Sequence, residues 1–169
     1  MYFSPKLYPF QPPFGCVIKY VPREHPFMLA AAEMIKRSGC AKHPVGAVLV
    51  RGGLIIGRGA NGSMRADTRH TVCERVRRGC KTGEGYELCP NCITPGHVEP
   101  MTIADARACK QDTNGADLYL FGHWWCCEPC WKIMAEAGIK TVYLVTQATE
   151  LFDRPEGTKA VLQEMGIAL

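Results

Sequence analysis

Two short pieces of the chain carry the side chains best suited to chemistry: His97-Val98-Glu99 and Cys127-Glu128-Pro129-Cys130. Neither is specific alone, but each follows a break in pattern and opens a predicted helix. The partial positive charge of a helix N-terminus lowers the cost of holding a thiolate. One imidazole and two thiolates, from His97, Cys127 and Cys130, supply three zinc ligands. They leave the fourth tetrahedral position for water, which is the arrangement of a catalytic zinc. Zinc makes such a water acidic near neutral pH. Glu99 lies two residues past His97, where it reaches that water without taking a metal position, and is the natural proton carrier. Cys126 is a rival ligand, although Cys127 preserves the C-x-x-C spacing. Trp124 and Trp125, just ahead of the cysteines, could stack on a base or simply pack at a strand end. His123 falls near the expected pocket mouth, as a substrate contact or a satisfied structural histidine.

A second group, Cys73, Cys80, Cys89 and Cys92, lies in a segment without sustained periodicity, at about 61–96. One closed four-cysteine zinc would pin such a segment, with His70 or His43 able to replace a thiolate. Buried free thiols are the plainer alternative. The same stretch carries Arg65, Arg69, Arg75, Arg77, Arg78 and Lys81 against Asp67 and Glu74, an excess equal to the whole chain's formal +4. Arginines so placed suit a phosphate, with Arg65 a candidate substrate contact. A nucleic-acid backbone and a solvated face remain the other readings.

Elements must position these groups. With 169 residues, 47% hydrophobic and 21% charged, the chain suits one domain with one core. No apolar run approaches the ~18 residues of a membrane span. The first residues lack the charged start and apolar stretch of a secretory signal, so a soluble cytoplasmic protein is expected. There, ten cysteines point to metal or redox chemistry rather than disulfides. Residues 1–24, with five prolines, form an expected arm, and the domain proper runs over 25–169. A helix is predicted from Pro26 towards Gly39. A hairpin over Val45–Val50 and Leu54–Gly57 turns at Gly52-Gly53. A helix starts near His97, then come a strand at Leu118–Phe121, a helix at 127–137, a strand at Thr141–Val145 and a helix at 155–165. Ile167–Leu169 is read as an edge strand. The alternation implies crossover units and a mixed sheet of about five strands.

In this order the motifs resemble the zinc-dependent cytidine and deoxycytidylate deaminase superfamily, whose signature is H-x-E…P-C-x-x-C. The resemblance extends from about His25 to the C-terminus. It includes Pro44-Val45-Gly46-Ala47-Val48-Leu49-Val50, Gly115-Ala116-Asp117-Leu118-Tyr119-Leu120 and Ala137-Gly138-Ile139-Lys140-Thr141-Val142. It implies a three-layer α/β/α sandwich and hydrolytic deamination. Water adds to C4 of a cytosine ring, Glu99 moves protons to the ring nitrogen and the departing amine, and ammonia leaves. It places Asn61 against the substrate's sugar or base, and it likens the segment from Cys73 to Cys89 to a loop carrying a second, structural zinc. A homo-oligomer acting on a nucleotide, dCMP foremost, is the partner reading. Departures are Cys126 where proline is usual, Val98 for alanine, and Met101 where asparagine is frequent. A base in RNA or single-stranded DNA, such as adenosine in a tRNA loop, is the second enzyme reading. A zinc-stabilised binding module is the third, though such a module gains little from Glu99.

Overall fold

The computed structural model describes residues 11–40, 42–62, 73–81 and 84–168. Its first helix, α1 (Pro26–Met34), begins as the sequence predicts. Pro26 fills a first-turn position where no N–H is needed, and the Nδ1 of His25 accepts the Phe27 N–H at 3.3 Å. Next, β2 (Gly46–Arg51) and β3 (Leu54–Ala60) form the predicted hairpin, and β3 runs on past Gly57. Gly52 and Gly53 both take positive φ, 58° and 78°, as a two-residue hairpin turn requires. The irregular segment then holds α2 (Glu74–Arg77) and three single 3₁₀ turns at Tyr86–Leu88, Pro90–Cys92 and Thr94–Gly96. After it come α3 (Val98–Ala108), β4 (Asp117–Phe121), α4 (Glu128–Glu136), β5 (Thr141–Val145), α5 (Ala148–Phe152) and α6 (Pro155–Glu164).

The sheet has five strands in the order β1-β5-β4-β2-β3, where β1 is Val17–Val21. Strands β1, β5 and β4 are parallel, and β2 is antiparallel to both of its neighbours. The expected strand count holds, but the fifth strand is not the expected one. It comes from the proline-rich N-terminal stretch, whose residues 17–21 pair with Thr141–Val145. Ile167 and Ala168 are not in a strand. Gly166 instead takes φ 72° and the Ile167 N–H bonds back to the Leu162 carbonyl at 2.9 Å, so this segment closes the end of α6.

Helices cover both faces. Gly46 backs onto α1, where an added Cβ would meet the Ile35 nitrogen at 2.9 Å. Its cross-strand partner Phe121 packs edge-on against Phe152 of α5 on that face. Gly57 and Gly59 face the other way, onto α3. A Cβ on Gly57 would lie 2.7 Å from the Thr102 carbonyl oxygen, and one on Gly59 would lie 2.8 Å from the Thr102 nitrogen. Every residue of β2 except Arg51 is buried, as expected for a strand covered on both sides. The result is the α/β/α sandwich that the motif order implied.

Because backbone rather than a flexible side chain meets those positions, Gly59→Ala must push α3 off the sheet. Overpacking of this kind costs about 1–3 kcal/mol, a fall of roughly 3–10 °C in Tm for a chain of this length. Thermal unfolding followed by circular dichroism checks it.

Candidate functional site

His97 and Cys127 occupy equivalent positions: each is the residue that caps the start of its helix, α3 and α4 respectively. Both have extended backbone, and each carbonyl accepts the first bond of its helix, from Met101 and Trp131. Glu99 and Cys130 follow within the first turns. The sandwich brings α3 and α4 together on one face, so the two helix starts converge.

The Nδ1 of His97 lies 3.4 Å from the Cys127 sulfur and 3.3 Å from the Cys130 sulfur. Among the described residues, these three supply the one set of His, Cys, Asp or Glu ligand atoms all within 4.8 Å of one another. The far ring nitrogen, Nε2, donates to the Cys92 carbonyl oxygen at 3.1 Å. A carbonyl can only accept, so Nε2 carries a proton and Nδ1 is the ring nitrogen turned to the sulfurs, where the bond to Cys127 raises the imidazole. The Cys130 thiol and His97 together hold Cys127 down to about 4, making it a thiolate at neutral pH. Cys130, the donor in that pair and itself buried, is pushed up. An imidazole nitrogen, one thiolate and a second thiol beside it form a donor set that suits zinc.

Glu99 is 5% exposed, and burial pushes its carboxyl above the usual range. The Cys126 thiol donates to it. Burial first, and the Glu99 charge second, keep Cys126 protonated. Cys126 is thus turned to the carboxylate, while Cys127 is turned to His97.

The other sequence-predicted residues fare unevenly. Asn61 sits just past β3, 7% exposed. Its side-chain oxygen accepts from the Val45 N–H at 3.0 Å and from the Ser38 hydroxyl, and its amide donates to the His43 carbonyl at 2.9 Å. It therefore straps the segment ahead of β2. Trp124 is half-buried beside His123, with ring centroids 5.7 Å apart, and Trp125 stands edge-on to the buried Trp131 at 5.6 Å. His123 accepts the Trp125 N–H at 3.0 Å, and burial, then nearby His43, lower it to about 4, so it is neutral. Arg65, Arg69 and His70 lie outside the described residues. Of the basic run that remains, Arg77 and Arg78 both pair with Glu74, at 2.8 and 2.6 Å. Arg75 is buried. Arg77 and Arg78 stay at the surface.

The expected set Cys73, Cys80, Cys89 and Cys92 is not brought together as such. The Cys80 sulfur lies against Gly85, where an added Cβ would meet it at 2.8 Å. Cys40 lies near Cys73, Cys89 and Cys92, without the close approach that His97, Cys127 and Cys130 make. Sequence spacing gave no sign of Cys40, because it reaches the group only through the fold. The one available signal was its separation by two residues from His43, which binds the Gly122 carbonyl at 2.7 Å and so anchors that turn.

The fold and this site define an α/β enzyme domain with a His-Cys-Cys group suited to a metal. Residues 22–146 match the cytidine and deoxycytidylate deaminase zinc-binding region. The chain belongs to that family of deaminases. It is 30% identical over 145 residues to a deoxycytidylate deaminase of Schizosaccharomyces pombe, covering 85% of this chain and 42% of the relative. It is 31% identical over 134 residues to ComE operon protein 2 of Bacillus subtilis, covering 76% of this chain and 65% of the relative. The chain thus spans less than two thirds of the length of either. Among solved structures it is similar to the dCMP deaminase of cyanophage S-TIM5 in complex with dCMP and dUMP. That match has TM-score 0.50 and 25% identity, over 83% of this chain and 90% of that one. No helix among the described residues is long and apolar enough to cross a membrane.

If Cys127 and not Cys126 is the ligand, Cys127→Ala lowers bound zinc at the site well below one per chain. Cys126→Ala leaves it near one. Metal analysis after dialysis distinguishes them.

Proposed function

We propose that the chain is a zinc-dependent deaminase of a free cytosine nucleotide, converting dCMP to dUMP and ammonia. The observation that carries this reading is a buried carboxylate, Glu99, set beside an imidazole and two sulfurs at converging helix starts. A non-catalytic zinc module has no use for such a group. The substrate is supported by the relatives: a deoxycytidylate deaminase from fission yeast, and a phage enzyme whose structure contains dCMP and dUMP. The internal pairing of Arg75, Arg77 and Arg78 weakens the polynucleotide alternative. The family resemblance supports a cytoplasmic homo-oligomer as the working form.

In this reading His97, Cys127 and Cys130 hold zinc. Bound zinc would supply a water acidic enough to act as hydroxide near neutral pH. Glu99 would take the proton from that water and deliver it to the ring nitrogen, then take the proton of the hydroxyl added at C4 and pass it to the departing amine, so that the carbonyl forms as ammonia leaves. Burial, which raises its carboxyl above the usual range, suits it to both halves of that task. Cys126 keeps a proton and donates to Glu99, holding the carboxylate without competing for metal. Trp124 and Trp125 are proposed as stacking surfaces for the base, with Asn61 and Arg65 as further substrate contacts.

A second, structural zinc belongs to the same proposal, with Cys40 in place of Cys80 beside Cys73, Cys89 and Cys92. It is supported by the buried Arg75, whose guanidinium has a thiol and no carboxylate among its partners in the described residues. A tetrathiolate zinc site carries net negative charge and would balance that cation.

Ammonia release should be compared on dCMP, CMP, cytidine and an adenosine-containing tRNA stem-loop. We expect dCMP to be turned over fastest. Glu99→Gln should keep its zinc and lose about 10²- to 10⁴-fold in kcat; undiminished turnover would sink the assignment. Zinc analysis should give two ions per chain, one after Cys89→Ser and still two after Cys80→Ser. One ion in the wild type removes the second site.

A further inference from the structure

Arg75 is 6% exposed, although it sits in the most basic stretch of the chain. Its guanidinium is fully engaged in three directions. Nε donates to the Glu84 carbonyl at 2.8 Å, one terminal nitrogen to the Lys81 carbonyl at 3.0 Å, and the other to the Cys92 sulfur at 3.7 Å. Its flat face covers the Tyr86 ring, 4.4 Å from the centroid. One side chain thus ties α2 to Lys81, Glu84, Tyr86 and Cys92, in a segment with little regular structure of its own. Only the planar fork of an arginine can reach several acceptors at once while stacking on a ring.

Cys92 is also where this segment meets the metal group. While its sulfur faces Arg75, its carbonyl accepts the His97 Nε2 proton at 3.1 Å. From there the chain reaches His97 through a single 3₁₀ turn, closed by the Gly96 N–H on Ile93 and the His97 N–H on Thr94. The segment is therefore short, and the placement of the carbonyl follows the placement of the sulfur.

We infer that Arg75 is a positioning residue for His97. By clamping Cys92, it holds the carbonyl that keeps the imidazole proton on Nε2 and directs Nδ1 to Cys127 and Cys130. The inference rests on the reading of His97 as a metal ligand. A zinc held by Cys92 would share the clamp, so the ring signal of His97 is read beside the release rate. Partners that orient a ligating histidine in this way change metal affinity by about 10- to 100-fold when lost.

On zinc-loaded wild-type protein, long-range ¹H–¹⁵N spectra of the histidine rings should show His97 with a slowly exchanging Nε2 proton and metal on Nδ1. Metal on Nε2 overturns the inference. Zinc release to a chromogenic chelator should then be compared for wild type, Arg75→Met, Arg75→Lys and Leu162→Ala. The last lies in α6 and lowers stability without touching the site. Arg75→Met should release zinc about 10- to 100-fold faster and lose the Nε2–H signal, and excess zinc should restore its turnover of dCMP. Arg75→Lys, which keeps the charge but not the fork, should fall between. Should Arg75→Met fail to fold, Arg75→Lys carries the same measurement. Release no faster than in Leu162→Ala would make Arg75 a stabiliser of its segment and nothing more. A wild-type chain that binds no zinc sinks the functional reading before any Arg75 variant is made. A wild type that binds zinc but deaminates none of the four substrates sinks the proposed activity and leaves the release comparison standing.

Discussion

The site depends on how closely α3 can lie against β3. Gly57 and Gly59 remove two side chains from the face of β3, so that the Thr102 backbone and Ala106 rest on bare strand. Everything the site needs from α3 is carried on that contact: His97 at the cap, Glu99 in the first turn, and Thr102, whose hydroxyl bonds back to the Val98 carbonyl at 2.7 Å. A helix held further from the strand would draw its imidazole away from the two sulfurs at the start of α4. The small residues of the strand are thus as much a condition of the metal group as the ligands themselves.

Desolvation then sets the chemistry. The same packing that buries Glu99 raises its carboxyl, while the Cys127 sulfur, half-buried between a thiol and an imidazole, goes the other way. Two acids at neighbouring helix starts are separated by environment, one kept ready to hold a proton and one kept without it. Cys126, adjacent in sequence to the thiolate, belongs to the carboxylate's side of this division because it is fully buried and faces Glu99.

What could be read from the sequence was whatever rested on short spacing. His97, Glu99, Cys127 and Cys130 were legible because H-x-E and C-x-x-C each fit within a helix turn, and a break in pattern marked both starts. Most elements were legible for the same reason, since period and punctuation are local. Cys40 was not, because only the turn anchored by His43 brings it near cysteines far along the chain. Arg75 was hidden by its company. In a run of cations it reads as solvated, and only tertiary packing separates the buried guanidinium from Arg77 and Arg78, which stay at the surface with Glu74. The edge strand was misplaced because Val17–Val21 is flanked by prolines and alternates weakly, whereas Ile167 looked like strand but spends its N–H closing α6.

That edge strand has a consequence for the order of assembly. β1 lies near the start of the chain, and its one partner in the sheet is β5, at 141–145. During synthesis β1 emerges before the other four strands and finds no partner until β5 follows. Hairpin β2–β3 and its helices can associate from local contacts, but the sheet stays one strand short until β5 has been made. Pairings of such long sequence separation form late and slowly, because the loop must close before any of its contacts contribute. Of the five strands, the first to be made is therefore the last to be seated.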